Sequence, residues 1–266
     1  NLWIYDENSY PSGFAGGLVP DAMPESRGRG LAFREETKPG KAGPEVVAVF
    51  RLTEDAAEDV TDKARGSDPL PEGKYLMASV VRAGDSPWYG GRCYVDLLYP
   101  GVTEKFLAIT LDPYQKEKEI GGQFGKRVPG SFADEPQLKP ADGLPWTDDL
   151  PQQFEKRWGY RLTDHLPSLE RPVGDWKRIR HNYYQTLLDL FIERWSKPYF
   201  DYCAKRKLEF TGHYWEQDWP NCIGVPDNMA MSAWQQRPGI DILMNQYRED
   251  THAQFGNIRS CRELSS

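Results

Sequence analysis

Histidine is scarce in this chain of 266 residues: only His165, His181, His213 and His252 occur, and they are dispersed. A histidine-built metal centre is therefore not expected. The four cysteines, Cys93, Cys203, Cys222 and Cys261, form no C-x-x-C pair, which argues against structural zinc. They read as free thiols, or as one or two disulfides that the sequence does not assign. No lysine or arginine tract breaks the interleaved charge, and the net charge is −7, so no nucleic-acid face is expected. No apolar run approaches the length of a membrane span. The glycines at 13, 16 and 17 match neither a dinucleotide loop nor a P-loop. A serine nucleophile elbow and EF-hand spacing are also missing.

Aromatic residues, in contrast, are plentiful. Nine tryptophans and fourteen tyrosines occur, many beside Gly, Pro, Asp or Asn. Flat rings over polar loops suit sugars, which offer C–H faces to stack on and hydroxyls to bond. The same residues also enrich at any interface. The most informative stretch is Ser131-Phe132-Ala133-Asp134-Glu135-Pro136, which ends an apolar run begun near Val128. Proline cannot donate to a sheet ladder, so a strand ends here in two adjacent carboxylates. In a (β/α) barrel, that strand edge is where catalysis takes place. The same pair could equally cap a following helix.

Trp3-Ile4-Tyr5 reads as a buried first strand, again followed by carboxylates, Asp6 and Glu7, and a turn-rich loop. Residues 45–99 change character. Three strand-like segments, Val46–Phe50, Tyr75–Val81 and Tyr94–Tyr99, lie between Gly- and Pro-bearing turns, and predict a small β-rich insertion. Beyond Gly101 the period becomes helical at Val102, Phe106, Ile109 and Tyr114. A longer stripe, Trp176, Ile179, Tyr183, Tyr184, Leu187, Leu190, Phe191 and Trp195, predicts an amphipathic helix running toward Lys207, kinked at Pro198. It is expected to be the face packed on the sheet. Strands are expected at Leu208–His213 and Ile240–Met244, with helices over 228–236 and from Tyr247. Alternating strands and helices imply an α/β fold with a parallel sheet, here part of a (β/α)8 TIM-type barrel occupying 1–266 with the insertion inside it. The chain stops after a helical stretch where another strand is expected, so further barrel strands of a longer chain are its expected partner.

Polar groups thus gather at several strand ends: Asp6 and Glu7, Asp134 and Glu135, His213 with Trp215 and Glu216, and Asn245-Gln246. Two carboxyl groups flanking a bond are what glycoside hydrolysis requires. Side chains alternate along a strand, so Asp134 and Glu135 cannot both enter the barrel mouth. Glu135 reaches farther, and an aromatic, partly dry pocket would raise its pKa toward the range of a general acid. His213 reads equally as a hydrogen-bonded structural residue or a donor to a substrate hydroxyl. Loop carboxylates and carbonyls could bind Ca²⁺.

Several segments resemble glycoside hydrolase family 106, which contains α-L-rhamnosidases. Trp3-Ile4-Tyr5-Asp6-Glu7 with Tyr10-Pro11-Ser12-Gly13 and Ala15-Gly16-Gly17 is similar to the family's "YDE…WPSG.AGG" segment. Phe132–Pro136 resembles its "FTDEP" strand end. Phe210-Thr211-Gly212-His213 with Glu216, and Arg237-Pro238-Gly239-Ile240-Asp241, resemble its "TGH…E" and "PGID" segments. The resemblance implies a (β/α)8 catalytic domain, exo-action on a glycoside or oligosaccharide, and inversion of stereochemistry, and it admits a Ca²⁺ near the sugar. It places Glu135 as the catalytic acid. Asp6, Glu7, Asp134, His213, Trp215 and Glu216 are the candidate substrate contacts, and of these the resemblance places His213 and Glu216 at the sugar or at a metal. A periplasmic or secreted location is expected for the full-length protein. Tyr10 stands where the family has Trp, and the later barrel strands have no counterpart, so the second catalytic carboxylate is expected beyond Ser266. The competing readings are a non-catalytic carbohydrate-binding relative, an inactive fragment and, against the scarcity of histidine, a metal-dependent hydrolase.

Overall fold

The computed structural model describes residues 1–54, 56–215, 221, 223–241 and 261–262. The strands, in chain order, are β1 (Ile4–Tyr5), β2 (Arg29–Glu36), β3 (Val46–Leu52), β4 (Ala57–Asp59), β5 (Lys74–Arg82), β6 (Gly130–Asp134), β7 (Leu144–Pro145), β8 (Glu209–His213) and β9 (Arg237–Pro238). They form two sheets, one parallel and one antiparallel, in a mixed α/β molecule. The chain divides into two compact units. The first comprises 1–28, 84–140 and 188–266; the second comprises 29–83 and 141–187. Among the described residues no helix is long and apolar enough to cross a membrane.

The first unit is built on a parallel sheet of order β1-β6-β8-β9. Among the described residues this sheet is open and does not close into a barrel. Alternation gives its two faces different chemistry. Ser131 and Phe210 face a helical layer: the Tyr199 ring stacks on Phe210 at 4.0 Å, and its hydroxyl lies 2.9 Å from Ser131 Oγ. Tyr5, Phe132 and His213 line the other face, with ring centroids 6.0 Å apart for both Tyr5–Phe132 and Phe132–His213. Gly212 is required between them. It adopts φ +136°, and a Cβ there would lie 2.0 Å from the Ala133 carbonyl oxygen. No other residue offers that backbone freedom without a clash.

The long helical stripe forms as the sequence predicts, with a more specific break. A helix over Trp176–Phe191 passes into a π-helical turn, Ile192–Ser196, and then a helix over Lys197–Lys205. Pro198 offers no N–H to the preceding turn, and the Arg194 carbonyl four residues back accepts the Thr103 hydroxyl at 2.5 Å instead. The irregularity expected at Pro198 is a π turn that ends two residues before it. Ile179, Tyr183, Leu187, Leu190, Phe191 and Trp195 are buried.

The second unit holds the antiparallel sheet β4-β3-β5-β2-β7. Its core includes Val46, Val49, Val60, Leu70, Tyr75 and Met77. This sheet reaches beyond the expected 45–99 segment, because β2 pairs with β5 over eight residues and with β7 at its start. Residues 84–99 fall in the first unit. Tyr94–Tyr99 is not the expected strand. Tyr94, Val95, Leu97 and Leu98 are buried in irregular chain, where Asp96 Oδ1 accepts the Leu98 N–H at 2.9 Å and locks a turn. Side-chain capping by Asp competes with the ladder there. A short strand stands at Arg237–Pro238; residues 242–244 of the strand expected at Ile240–Met244, and the helix expected from Tyr247, lie outside the described residues. Cys93 and Cys203 are buried free thiols and Cys261 is an exposed one.

Candidate functional site

The site grows from the C-terminal ends of β1, β6 and β8. Parallel register sets Asp134 beside His213, so both project from the same face as Tyr5. His213 Nε2 donates to Asp134 Oδ1 at 2.9 Å, and the Tyr5 hydroxyl donates to Asp134 Oδ2 at 2.6 Å. Burial would raise the pKa of Asp134. The hydrogen bond from His213, that from Tyr5, and the His213 charge outweigh burial and hold it below the usual carboxylate value. Asp134 is thus a committed, ionised acceptor.

Glu135 is the next residue, and its backbone leaves the strand in the left-handed region, at φ +46°. A bulky non-glycine residue tolerates that region only where its surroundings enforce it. Here the Glu135 N–H donates to the His213 carbonyl at 3.2 Å, and the Trp215 indole N–H donates to the Glu135 carbonyl at 3.2 Å. The carboxylate accepts from the Tyr10 hydroxyl and lies 4.0 Å from His213 Nδ1. Glu135 is 5% exposed and His213 6% exposed.

Asp6 and Glu7 are turned to other work. Asp6 is 2% exposed and accepts from Ser12 Oγ at 2.6 Å and from the Tyr199 hydroxyl at 2.8 Å. Burial raises its pKa well above the ordinary value against the pull of those two bonds, with the Glu7 and Asp134 charges adding to the rise. Ser12 in turn accepts the Asp134 N–H at 2.8 Å and donates its own N–H to the Asp134 carbonyl at 2.8 Å. Glu7 accepts the N–H groups of Ala15 at 2.7 Å and Asn8 at 3.0 Å, and so anchors the glycine loop. Burial pushes Glu7 up to about 7 despite these donors.

The Glu7 shift predicts a pH dependence. The unfolded chain releases this proton near the ordinary value of 4.5, the folded chain near 7. Stability therefore falls as pH rises from about 4.5 to about 7 and levels off above, by roughly 3 kcal/mol for this group. Urea unfolding across pH 4–8 should show that fall in the wild type relative to Glu7→Gln. A constant difference between the two proteins across the window would contradict the assignment.

The structure therefore brings Asp134, Glu135, His213 and Trp215 together, and directs the hydrogen bonds of Asp6 and Glu7 into the chain's own framework. Glu216 lies outside the described residues. Asp241 was missed by sequence reasoning, although it stands in the quoted Arg237–Asp241 segment. One ligand atom each from Glu135, His213 and Asp241 lies within 4.8 Å of the others. Calcium takes six to eight oxygen ligands, whereas this trio supplies two carboxylates and an imidazole nitrogen. These three described donors do not by themselves fit the Ca²⁺ that the resemblance admits. Tyr10 and Ser12 were also missed as site residues, although both stand in the turn-rich loop after β1.

No protein-family profile and no curated protein matches the sequence. Among solved structures, the chain is similar to a rhamnosidase from Novosphingobium sp. PP1Y, with 25% identity and a TM-score of 0.49 over 71% of this chain. The chain spans 19% of that rhamnosidase's length.

Proposed function

We propose that this chain is part of a glycoside hydrolase that removes terminal sugars, of the α-L-rhamnoside class, from glycans, and that its parallel sheet belongs to a (β/α)8 barrel completed by further chain. The observation that carries the reading is the division of labour between adjacent carboxylates. Asp134 is fixed as an anion by His213 and Tyr5. Glu135 stands past the strand end on a left-handed residue, beside an aromatic hydroxyl and an imidazole. Paired acids in unlike environments are how glycosidases separate their roles. The motif resemblance supplies the substrate class.

In this reading Glu135 delivers its proton to the glycosidic oxygen as the bond to the anomeric carbon breaks, and the electron pair leaves with that oxygen. Water adds to the opposite face of the sugar. Asp134, His213 and Trp215 contact the sugar, while Asp6 and Glu7 hold the loop beneath them. Asp241 brings a second carboxylate toward Glu135, one ligand atom of each lying within 4.8 Å of the other. The base comes from elsewhere in the longer protein. The test is release of free rhamnose from rhamnose-terminated oligosaccharides by the longer protein containing this chain. Sugar binding without release would favour a carbohydrate-binding relative. Neither binding nor release would remove the reading.

A further inference from the structure

Trp88, at 68% exposure, is the most exposed large apolar side chain among the described residues. It sits on a single 3-10 turn, Pro87–Tyr89. The turn is firmly tied. Ser86 Oγ accepts the Trp88 N–H at 3.2 Å, the Ser86 N–H donates to the Arg92 carbonyl at 2.8 Å, and the Gly91 N–H donates to the Ser86 carbonyl at 2.9 Å. Arg92 is itself bonded to Asp21 at 2.9 Å. The neighbouring Tyr89 ring packs edge-on against the buried Phe14 ring at 5.4 Å and stacks with Tyr94 at 6.0 Å. The turn thus packs one aromatic ring against the chain and presents the other to solvent.

What Trp88 touches gives it a direction. Its ring meets that of Tyr10 at 6.2 Å and 84°, and the Tyr10 hydroxyl bonds Glu135. A path of two rings therefore leads from solvent to the proposed acid. An isolated exposed apolar residue needs no explanation. One held rigidly at the outer end of such a path does. A single open indole is too flat to cage a cation, but it matches a pyranose ring, whose slightly positive C–H face suits the negative π face.

We propose that Trp88, set by Tyr10, is a stacking platform for the second sugar of the substrate, the residue on the leaving side of the bond that Glu135 protonates. The terminal sugar belongs to the buried group around Glu135 and His213. The more exposed ring serves the part of the glycan that remains toward solvent. This assignment rests on the hydrolase reading for which sugar is cleaved, but it concerns binding and can fail independently.

The test measures binding by calorimetry to wild type, Trp88→Ala and Trp88→Phe, with methyl α-L-rhamnoside and a rhamnose-terminated disaccharide as probes, alongside rhamnose release. Trp88→Ala should weaken disaccharide binding about tenfold more than methyl glycoside binding, an effect of the size expected for one aromatic contact. Trp88→Phe should recover most of the loss. Thermal unfolding of all three proteins checks that the fold is retained. Equal weakening for both probes, or none, overturns the platform while leaving the hydrolase reading intact if the wild type still releases rhamnose. Selective loss without any release by the wild type supports the platform and removes the hydrolase reading. Failure of the wild type to bind either probe overturns both.

Discussion

Turnover of an oligosaccharide by the longer protein should fall about 10²–10⁴-fold when Glu135 is replaced by Gln, the usual worth of a positioned proton donor. Gln keeps the size of the side chain and can still accept from the Tyr10 hydroxyl, so the fold and the sugar pocket should persist. The loss should depend on the leaving group. A nitrophenol departs as a stable anion and needs little protonation, so p-nitrophenyl α-L-rhamnopyranoside should lose roughly tenfold or less, a small part of the acid's full effect. Asp134→Asn provides the contrast. It removes the anion that receives His213 and Tyr5, so its loss should be similar for both substrates. Equal losses on activated and unactivated substrates for Glu135→Gln would argue against the acid role. Full activity would remove Glu135 from the chemistry.

The second large effect concerns stability. Asp6→Leu should destabilise the first unit by about 3 kcal/mol, because it leaves the Ser12 and Tyr199 hydroxyls short of an acceptor in a buried setting. Tyr199 retains its contact with Ser131, which limits the cost. A double-mutant cycle with Tyr199→Phe, read by denaturant unfolding, should give a coupling of about 1 kcal/mol or more for groups in direct contact. A loss below about 0.5 kcal/mol, the level of ordinary surface changes, would show that the buried carboxyl is dispensable.

How much was legible in the sequence depended on the range of the interactions involved. The strand ending at Asp134, the strand ending at His213 and the helical stripe from Trp176 were readable, because apolar period and proline are local signals. The faces of Asp6 and Glu7 were not. Both look like strand-end acids; the path of the glycine loop brings the Asn8 and Ala15 N–H groups to Glu7, and Tyr199, remote in the chain, joins Ser12 in holding Asp6. Asp241 escaped notice for a similar reason. Its approach to Glu135 depends on β9 pairing with β8 at Pro238, before the apolar run at 240–244. The extent of the antiparallel sheet was hidden because β2 and β7 carry few β-branched residues. Their pairing relies on close approach at Gly30 and Gly143, where a Cβ would lie 1.9 Å from the Asp142 carbonyl oxygen and 2.2 Å from that of Leu31.

The parallel sheet draws neighbours from remote parts of the chain: Ser131 Oγ bonds the Ile4 carbonyl across 127 residues, and His213 reaches Asp134 across 79. The pairing of β3 with β4 closes a turn of only a few residues. Loop closure is an entropic cost met before long-range contacts return anything, so pairings of high sequence separation form slowly. The β3–β4 pair and the parallel sheet should therefore acquire structure at different times during refolding. Pulse-labelled amide exchange should find β3 and β4 protected first and β1, β6 and β8 last. The carboxylates at the strand ends would then meet only in the final stage, and a nascent or partly folded chain would carry its acids apart and without catalytic power.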